Sequence, residues 1–231
     1  MCTVPRSTRM EKADNPLSPE GMSGYLHAAH VRALTALSAS QVPYLLLRLP
    51  VAAAGPVKDL DLLLAPAALG DAGAVLREVG FRPKTSPPGM PSKIVFSTYD
   101  EGRFHSLDVH TTVVSRGLVY LDASLLLERR LKHSGVPLPS PEDALLHLVL
   151  HPLLRRRELG GKYSDRIRHL AALPLDERYM RRHLARFNLQ QVFREALNGI
   201  IDGGMVDPSA LHRTARRRLS LRLRPSARPS V

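Results

Sequence analysis

The sequence predicts an α+β protein, in which a mixed sheet with flanking helices is followed by a C-terminal helical bundle. Up to residue 122, short apolar runs bounded by Pro, Gly and polar clusters are typical of strands and alternate with helical patterns. From residue 123 onward, apolar residues recur at helical spacing. We therefore expect a disordered N-terminal tail over 1–22, an α/β domain over 23–122, a helical domain over 123–205 and a basic C-terminal tail over 206–231.

The α/β half is expected to contain two helices and four strands. The helix over 67–81 ends at Gly80, which fits a glycine just past a helix C-terminus. The turn "DEGR" predicts a hairpin between the last two strands, and the Pro-rich segment "KTSPPGMPS" before them predicts a loop. The expected elements are a helix over 24–40, strands over 42–50 and 59–66, a helix over 67–81, and strands over 93–99 and 104–114.

Five helices are expected in the second half. Ser140 is placed to cap one of them, with Pro141 at its first position and Asp143 in its first turn. The expected helices cover 123–134, 141–158, 163–173, 175–187 and 189–201.

The charge and the single cysteine limit the classes of function. The net charge of +12 favours polyanions, phosphates or acidic surfaces as partners. Residues 213–228 carry seven Arg and no acid, which is typical of a solvated tail and also suits a nucleic-acid or acidic contact. That tail has no aromatic residue for base stacking, which disfavours sequence-specific RNA binding. Cys2 is the only cysteine, so a disulfide framework or a Cys-based zinc site is excluded.

The location is expected to be cytoplasmic. The N-terminal segment has the composition of neither a secretory signal nor a membrane anchor, and no stretch of about 18 apolar residues occurs that could span a bilayer.

Two of the expected strands carry acids on one face and apolar residues on the other. Asp59 and Asp61 stand two residues apart in "DLDLLL", so their side chains share a face. Asp108 shares a face with His110 in "SLDVH". If the strands are neighbours, three carboxylates converge, and their mutual repulsion is relieved by a divalent cation such as Mg²⁺. An Asp-x-Asp pair in a strand also occurs by chance, and an acid at the start of a strand can simply cap a turn.

Several segments follow one another in a characteristic order: an apolar strand, "KDLDLLL", a helix ending in "VGF", a hairpin, "SLDVH" and then "LPSPEDALLHLVLH". This order resembles the nucleotidyltransferase superfamily that includes DNA polymerase β. It is most similar to the bacterial branch of uncharacterised nucleotidyltransferase-like proteins, over residues 42–173. The resemblance implies a nucleotidyltransferase-like fold and Mg²⁺-dependent transfer of a nucleoside monophosphate from a nucleoside triphosphate, with Mn²⁺ as an alternative ion. It implies that Asp59, Asp61 and Asp108 hold the metal and that Asp108 also accepts the proton of the acceptor, an unknown small molecule or peptide.

The chain departs from the resemblance at one point. Active members carry a Gly-Ser or Gly-Gly pair after the first strand, whereas this chain reads "LRLPVAAAGPVK", where Arg48 or Lys58 would hold a phosphate instead. The alternative is therefore a catalytically degenerate protein of the same fold that binds a nucleotide, a nucleic acid or a protein through its Arg-rich surface.

Four further residues are candidates for substrate contact. His147 and His151 share a helix face, where a packed or substrate-facing pair is favoured over a zinc site because no third ligand is evident. His110 would contact a phosphate, orient Asp108 or form a plain hydrogen bond. Lys162 would reach a triphosphate or remain a solvated lysine. Walker-type, dinucleotide-binding and serine-hydrolase motifs do not occur in the sequence.

Overall fold

The computed structural model describes residues 26–48, 57–84, 93–133 and 135–222, and the remaining residues lie outside this description. The expected tail over 1–22 and most of the Pro-rich loop therefore lie outside the described residues. The helices are α1 (Ala28–Ala39), α2 (Leu69–Glu78), α3 (Ala123–Glu128), α4 (Pro141–Arg156), α5 (Ser164–Ala171), α6 (Glu177–Arg186), α7 (Gln190–Asp202) and α8 (Pro208–Arg222). The strands are β1 (Tyr44–Leu46), β2 (Asp59–Leu64), β3 (Arg82–Lys84), β4 (Lys93–Asp100), β5 (Arg103–His110), β6 (Val113–Ser115), β7 (Leu118–Leu121), β8 (Leu131–His133) and β9 (Val136–Leu138).

The main sheet is mixed, as predicted. Its strand order is β1-β2-β5-β4-β3, with β2 and β5 parallel and every other pair antiparallel. The β4–β5 hairpin turns where "DEGR" predicts it, with Asp100 opposite Arg103. The two acid-bearing strands are therefore direct neighbours in the sheet.

The two faces of this sheet belong to different hydrophobic cores. Leu60, Leu62 and Leu64 of β2 pack under α1 and α2, together with Leu107 and Phe96 of the neighbouring strands. On the opposite face, Leu45 and Leu63 join the core of the helical half. The helical half thus covers the sheet at β1 and at the end of β2.

The helical half follows the predicted pattern, with one helix that the sequence analysis did not expect. Ser140 caps α4 by accepting a hydrogen bond from the Asp143 amide at 3.2 Å, and Pro141 is the first helical residue. Helix α8 occupies part of the segment 206–231, which was expected to be a tail. It forms because its apolar residues recur every four positions and pack into the core of the helical half: Leu211, Ala215 and Leu219.

Three short strand pairs also differ from the sequence expectations. Strand β3 adds to the edge of the main sheet beside β4. The expected strand over 104–114 ends at His110, and β6 then pairs with β7 across Arg116 and Gly117, whose positive φ values of 49° and 80° suit a type I′ turn. The expected helix over 123–134 ends at Glu128, because Gly135 (φ 82°) turns the chain into the β8–β9 hairpin. None of the helices in the described ranges is long and apolar enough to cross a membrane.

Candidate functional site

The acids lie on one face of the two central parallel strands. The pairing sets Asp61 of β2 directly opposite Asp108 of β5, and Asp59 opposite Ser106. Paired residues of neighbouring strands point to the same side, so all three acids share the face that α1 and α2 leave uncovered. The acids come together because side chains alternate between the two faces in both strands, and because the register sets Asp61 opposite Asp108.

Asp61, Asp108 and His110 form the tightest group on this face. One potential ligand atom from each of the three residues lies within 4.8 Å of the other two, and all three residues are half-buried. Asp59 lies outside this group: its Oδ1 accepts a hydrogen bond from the Ser106 hydroxyl, and its side chain is exposed. The structure therefore brings two carboxylates and a histidine together and leaves the third carboxylate at the open end of β2.

Each of the two clustered carboxylates is paired with a cation. Arg48, two residues after β1, donates to Asp61 Oδ2, and Lys93, at the start of β4, donates to Asp108 Oδ2. Burial alone raises the pKa of Asp61, but the hydrogen bond with His110 (3.4 Å) and the charge of Arg48 outweigh burial and hold that pKa well below its usual range. Asp61 is therefore ionised at neutral pH.

The histidines of α4 pack against the same region through a buried tyrosine. The Tyr120 hydroxyl lies 3.2 Å from His147 Nδ1 and 3.0 Å from His151 Nδ1. Burial, followed by the charge of Arg48, lowers the pKa of His151 to about 3. Burial also lowers the pKa of His147, with smaller effects from His151 and Arg48. Both rings are therefore neutral at pH 7, and Nε2 of His147 is buried with no hydrogen-bond partner among the residues that the structure describes.

The two predicted lysines lie at the surface. Lys58 is exposed one residue before β2, where its carbonyl accepts from the Ser106 amide at 2.8 Å. Lys162 is exposed, with its Nζ 5.2 Å from the centre of the Tyr163 ring. Burial lowers the pKa of the Arg48 guanidinium, but the charge of Asp61 outweighs burial and raises that pKa. The loop in which family members carry Gly-Ser falls on residues 49–56, outside the described residues.

Two residues of the site were missed by sequence reasoning. Lys93 could have been found from the "DEGR" turn, because that turn fixes the register that sets Lys93 opposite His110 and diagonal to Asp108. Tyr120 carried no such signal. Its contacts depend on how the helical half packs on the sheet, which a local pattern does not specify.

The donors of this site fit a hard divalent cation. Carboxylate oxygens are the ligands that Mg²⁺ prefers, and it completes its coordination with water and substrate phosphates. Asp61 and Asp108 supply such oxygens from adjacent strands, and Asp59 lies two residues before Asp61 on β2. His110 is a better hydrogen-bond donor to Asp61 than a ligand for this ion, since imidazole suits softer metals.

Comparison with known proteins is consistent with this geometry. No curated protein and no solved structure is significantly similar to the chain. The sequence profile of a family described as uncharacterised nucleotidyltransferases matches residues 26–198, which include the whole main sheet and the helices through most of α7. The chain therefore belongs to this family of uncharacterised nucleotidyltransferases.

Proposed function

We propose that this protein is a Mg²⁺-dependent nucleotidyltransferase that moves a nucleoside monophosphate from a nucleoside triphosphate to an acceptor hydroxyl. The observation that carries the proposal is the in-register pair of Asp61 and Asp108 on adjacent parallel strands, with His110 within 4.8 Å. Family membership supports the transferase class. A nucleoside triphosphate donor also agrees with the cytoplasmic location expected from the sequence.

The carboxylates would hold the ion, with Asp61 and Asp108 as the principal ligands and Asp59 as a further one. Bound Mg²⁺, or Mn²⁺ in its place, would neutralise phosphate oxygens and favour departure of pyrophosphate. Asp108 would accept the proton of the attacking hydroxyl, and His110 would keep Asp61 oriented through its hydrogen bond.

The cations of the site would hold the triphosphate. Arg48 and Lys93 contact the two carboxylates, and they would transfer to phosphate oxygens when a metal ion takes their place. Lys58 and Lys162 are exposed and free to contact the same group. His147 and His151 are neutral, so they would contact the substrate as hydrogen-bonding groups and not as cations.

The ion pairs favour a second candidate function. Because Arg48 and Lys93 neutralise Asp61 and Asp108, these carboxylates do not require a metal ion as a counter-charge, which suits a catalytically degenerate member. Such a protein would bind a nucleotide, a nucleic acid or a protein partner through its Arg-rich surface.

The proposal is tested by thermal stability with ATP or CTP, with and without Mg²⁺. The enzyme predicts that nucleotide raises the Tm, that Mg²⁺ increases this rise, and that Asp61→Asn and Asp108→Asn abolish the Mg²⁺-dependent part. Asp202→Asn, at an exposed position at the end of α7, is the matched control and should behave as wild type.

The degenerate alternative predicts a different pattern. Nucleotide stabilisation would then ignore Mg²⁺, survive both substitutions and fade steeply with salt. Circular dichroism of each variant separates a lost site from a lost fold.

A further inference from the structure

The acid-bearing face of the sheet continues away from the helical half toward the β4–β5 hairpin. Side chains two residues apart share a face, so Phe104 lies on the same side of β5 as Ser106 and Asp108. Tyr99 is the cross-strand partner of Phe104, and the two ring centres lie 5.0 Å apart in a T-shaped contact. An aromatic pair therefore lies about 13 Å from Asp108 along the same strand face.

This aromatic pair is unusually exposed for this chain. Tyr99 and Phe104 each expose 64% of their surface. The other Phe and Tyr residues that the structure describes are all buried, at 9% exposure or less: Tyr44, Phe81, Phe96, Tyr120, Tyr163, Tyr179, Phe187 and Phe193. Leaving two adjacent large rings in water costs free energy that a bound partner would recover.

A lysine flanks the pair on the same face. Lys84 of β3 is paired with Val95, which is paired with Asp108. The neighbouring Arg82 instead donates to the backbone carbonyl of Arg77 at 2.8 Å. Lys84 Nζ lies 5.0 Å from the centre of the Phe104 ring. Among the described residues on this side of β3 and β4, no side chain is a carboxylate. We name the surface made of Lys84, Tyr99 and Phe104 the open sheet face.

We propose that the open sheet face binds a single-stranded nucleic acid whose 3′ end reaches Asp108, so that its 3′ hydroxyl is the acceptor. Exposed rings beside a lysine suit this ligand, because bases stack on aromatic side chains and phosphates pair with Lys and Arg. The open sheet face leads directly to the acids along the same side of the sheet. Beyond the acids, in the other direction, the helical half covers this side of the sheet and buries Leu63. This acceptor replaces the small molecule or peptide that the sequence analysis expected.

The inference rests on the proposed function for its chemical step. A bond forms between the 3′ oxygen and the α-phosphorus, the bond from that phosphorus to the bridging oxygen breaks, and pyrophosphate leaves. The hydroxyl proton passes to the Asp108 carboxylate. Binding of the strand to the open sheet face does not itself depend on this step, so the two can be tested separately.

The test measures binding of a 5′-fluorescein single-stranded oligonucleotide of about 12 nucleotides, as RNA and as DNA, by fluorescence anisotropy of the full chain. Tyr99→Ser and Phe104→Ser should each weaken binding by about tenfold without changing its salt dependence. Lys84→Gln should reduce the salt slope by about one. Leu131→Ser and Lys132→Gln on β8 are exposed matched controls and should leave affinity and slope unchanged.

Unchanged affinity in both aromatic variants would overturn the inference, because all binding would then come from other cations such as those of the C-terminal tail. Gel filtration is run in parallel: if the aromatic variants convert a dimer to a monomer without affecting oligonucleotide binding, the open sheet face is a contact between copies of the chain, and the inference fails. Tighter binding of RNA than of DNA would identify the 2′-hydroxyl as part of the recognition.

The failure of the proposed function would look different. Mg²⁺-dependent stabilisation by ATP or CTP, measured without oligonucleotide, would be missing in the wild type while strand binding still depended on Tyr99 and Phe104. Extension of the labelled oligonucleotide in the presence of Mg²⁺ and a nucleoside triphosphate requires both proposals to hold.

Discussion

Removal of one buried hydroxyl, by Tyr120→Phe, tests how the helical half is held against the candidate site. The Tyr120 hydroxyl contacts His147 Nδ1 and His151 Nδ1, and no other hydrogen bond of this hydroxyl occurs within the described ranges. A phenol has one proton, so it donates to one ring and accepts from the other. Nε2 of His147 is buried and finds no hydrogen-bond partner in the described part of the chain, which costs least if that nitrogen carries no proton. The hydrogen-bond pattern therefore assigns His147 as the donor to Tyr120 and His151 as the acceptor.

The magnitude follows from the two groups that the substitution leaves unpaired. Tyr120 is fully buried, so water does not replace the lost hydroxyl. A buried polar group left without a partner costs about 1–3 kcal/mol, and the substitution creates one on each histidine. The sum is about 3 kcal/mol of unfolding free energy. For a chain of this length, that corresponds to a Tm lower by about 6–12 °C.

The assay is thermal and urea unfolding of Tyr120→Phe beside Tyr99→Phe, which removes the hydroxyl of a mostly exposed tyrosine and should change stability by less than about 0.5 kcal/mol. A Tm within about 2 °C of wild type for Tyr120→Phe would refute the reasoning. It would show that the hydroxyl contributes no net stability at this position, and the tautomers assigned from it would lose their basis.

Two further predictions concern stability. Burial lowers the pKa of His30 and His183 to about 4 and that of His151 to about 3, so the unfolded chain binds more protons than the folded one below the ordinary value of 6.5. This contribution to stability is complete above pH 6.5 and declines as the pH falls toward 4. The free energy of unfolding measured in urea should therefore be about 4 kcal/mol lower at pH 5.5 than at pH 7.5. Equal free energies of unfolding at the two pH values would contradict the prediction. Tyr179→Phe removes the hydroxyl that donates to buried Asp143 at 2.5 Å. In the same assay it should lower the free energy of unfolding by about 2 kcal/mol. A loss below about 0.5 kcal/mol would show that Ser140 and Arg129 alone stabilise the buried carboxylate.

The parts of the fold that the sequence predicts are those that local periodicity specifies. The alternation in "DLDLLL" and "SLDVH" assigns each side chain to a face, and the hairpin turn fixes a register. The N-terminal cap of α4 was likewise predicted from residues that are close together in the sequence. Helix α8 was not predicted although Leu211, Ala215 and Leu219 recur every four residues, because its Arg-rich composition is equally typical of a solvated tail. The short hairpins were missed because strands of three or four residues carry little pattern.

The partners of the acids were harder to predict, because they come from distant parts of the chain. Arg48 reaches Asp61 from the segment after β1, and Lys93 reaches Asp108 from β4. His147 and His151 reach the same region through Tyr120. An isolated carboxylate in a half-buried position requires a counter-charge, so the existence of such partners could be inferred from the acids alone. Their identity required the sheet order and the packing of the helical half.

The position of the site follows from a change of composition along one strand face. On β2 this face reads Asp59, Asp61, Leu63, while the opposite face is Leu at every position. The exposed first residue and the buried third one mark where the helical half begins to cover the sheet. Asp61 lies at that boundary, where burial strengthens its interaction with a cation and the open side still admits a ligand. A site between a covered and an open half of one sheet can hold phosphates on one side and receive an acceptor from the other, which is the arrangement that nucleotidyl transfer requires.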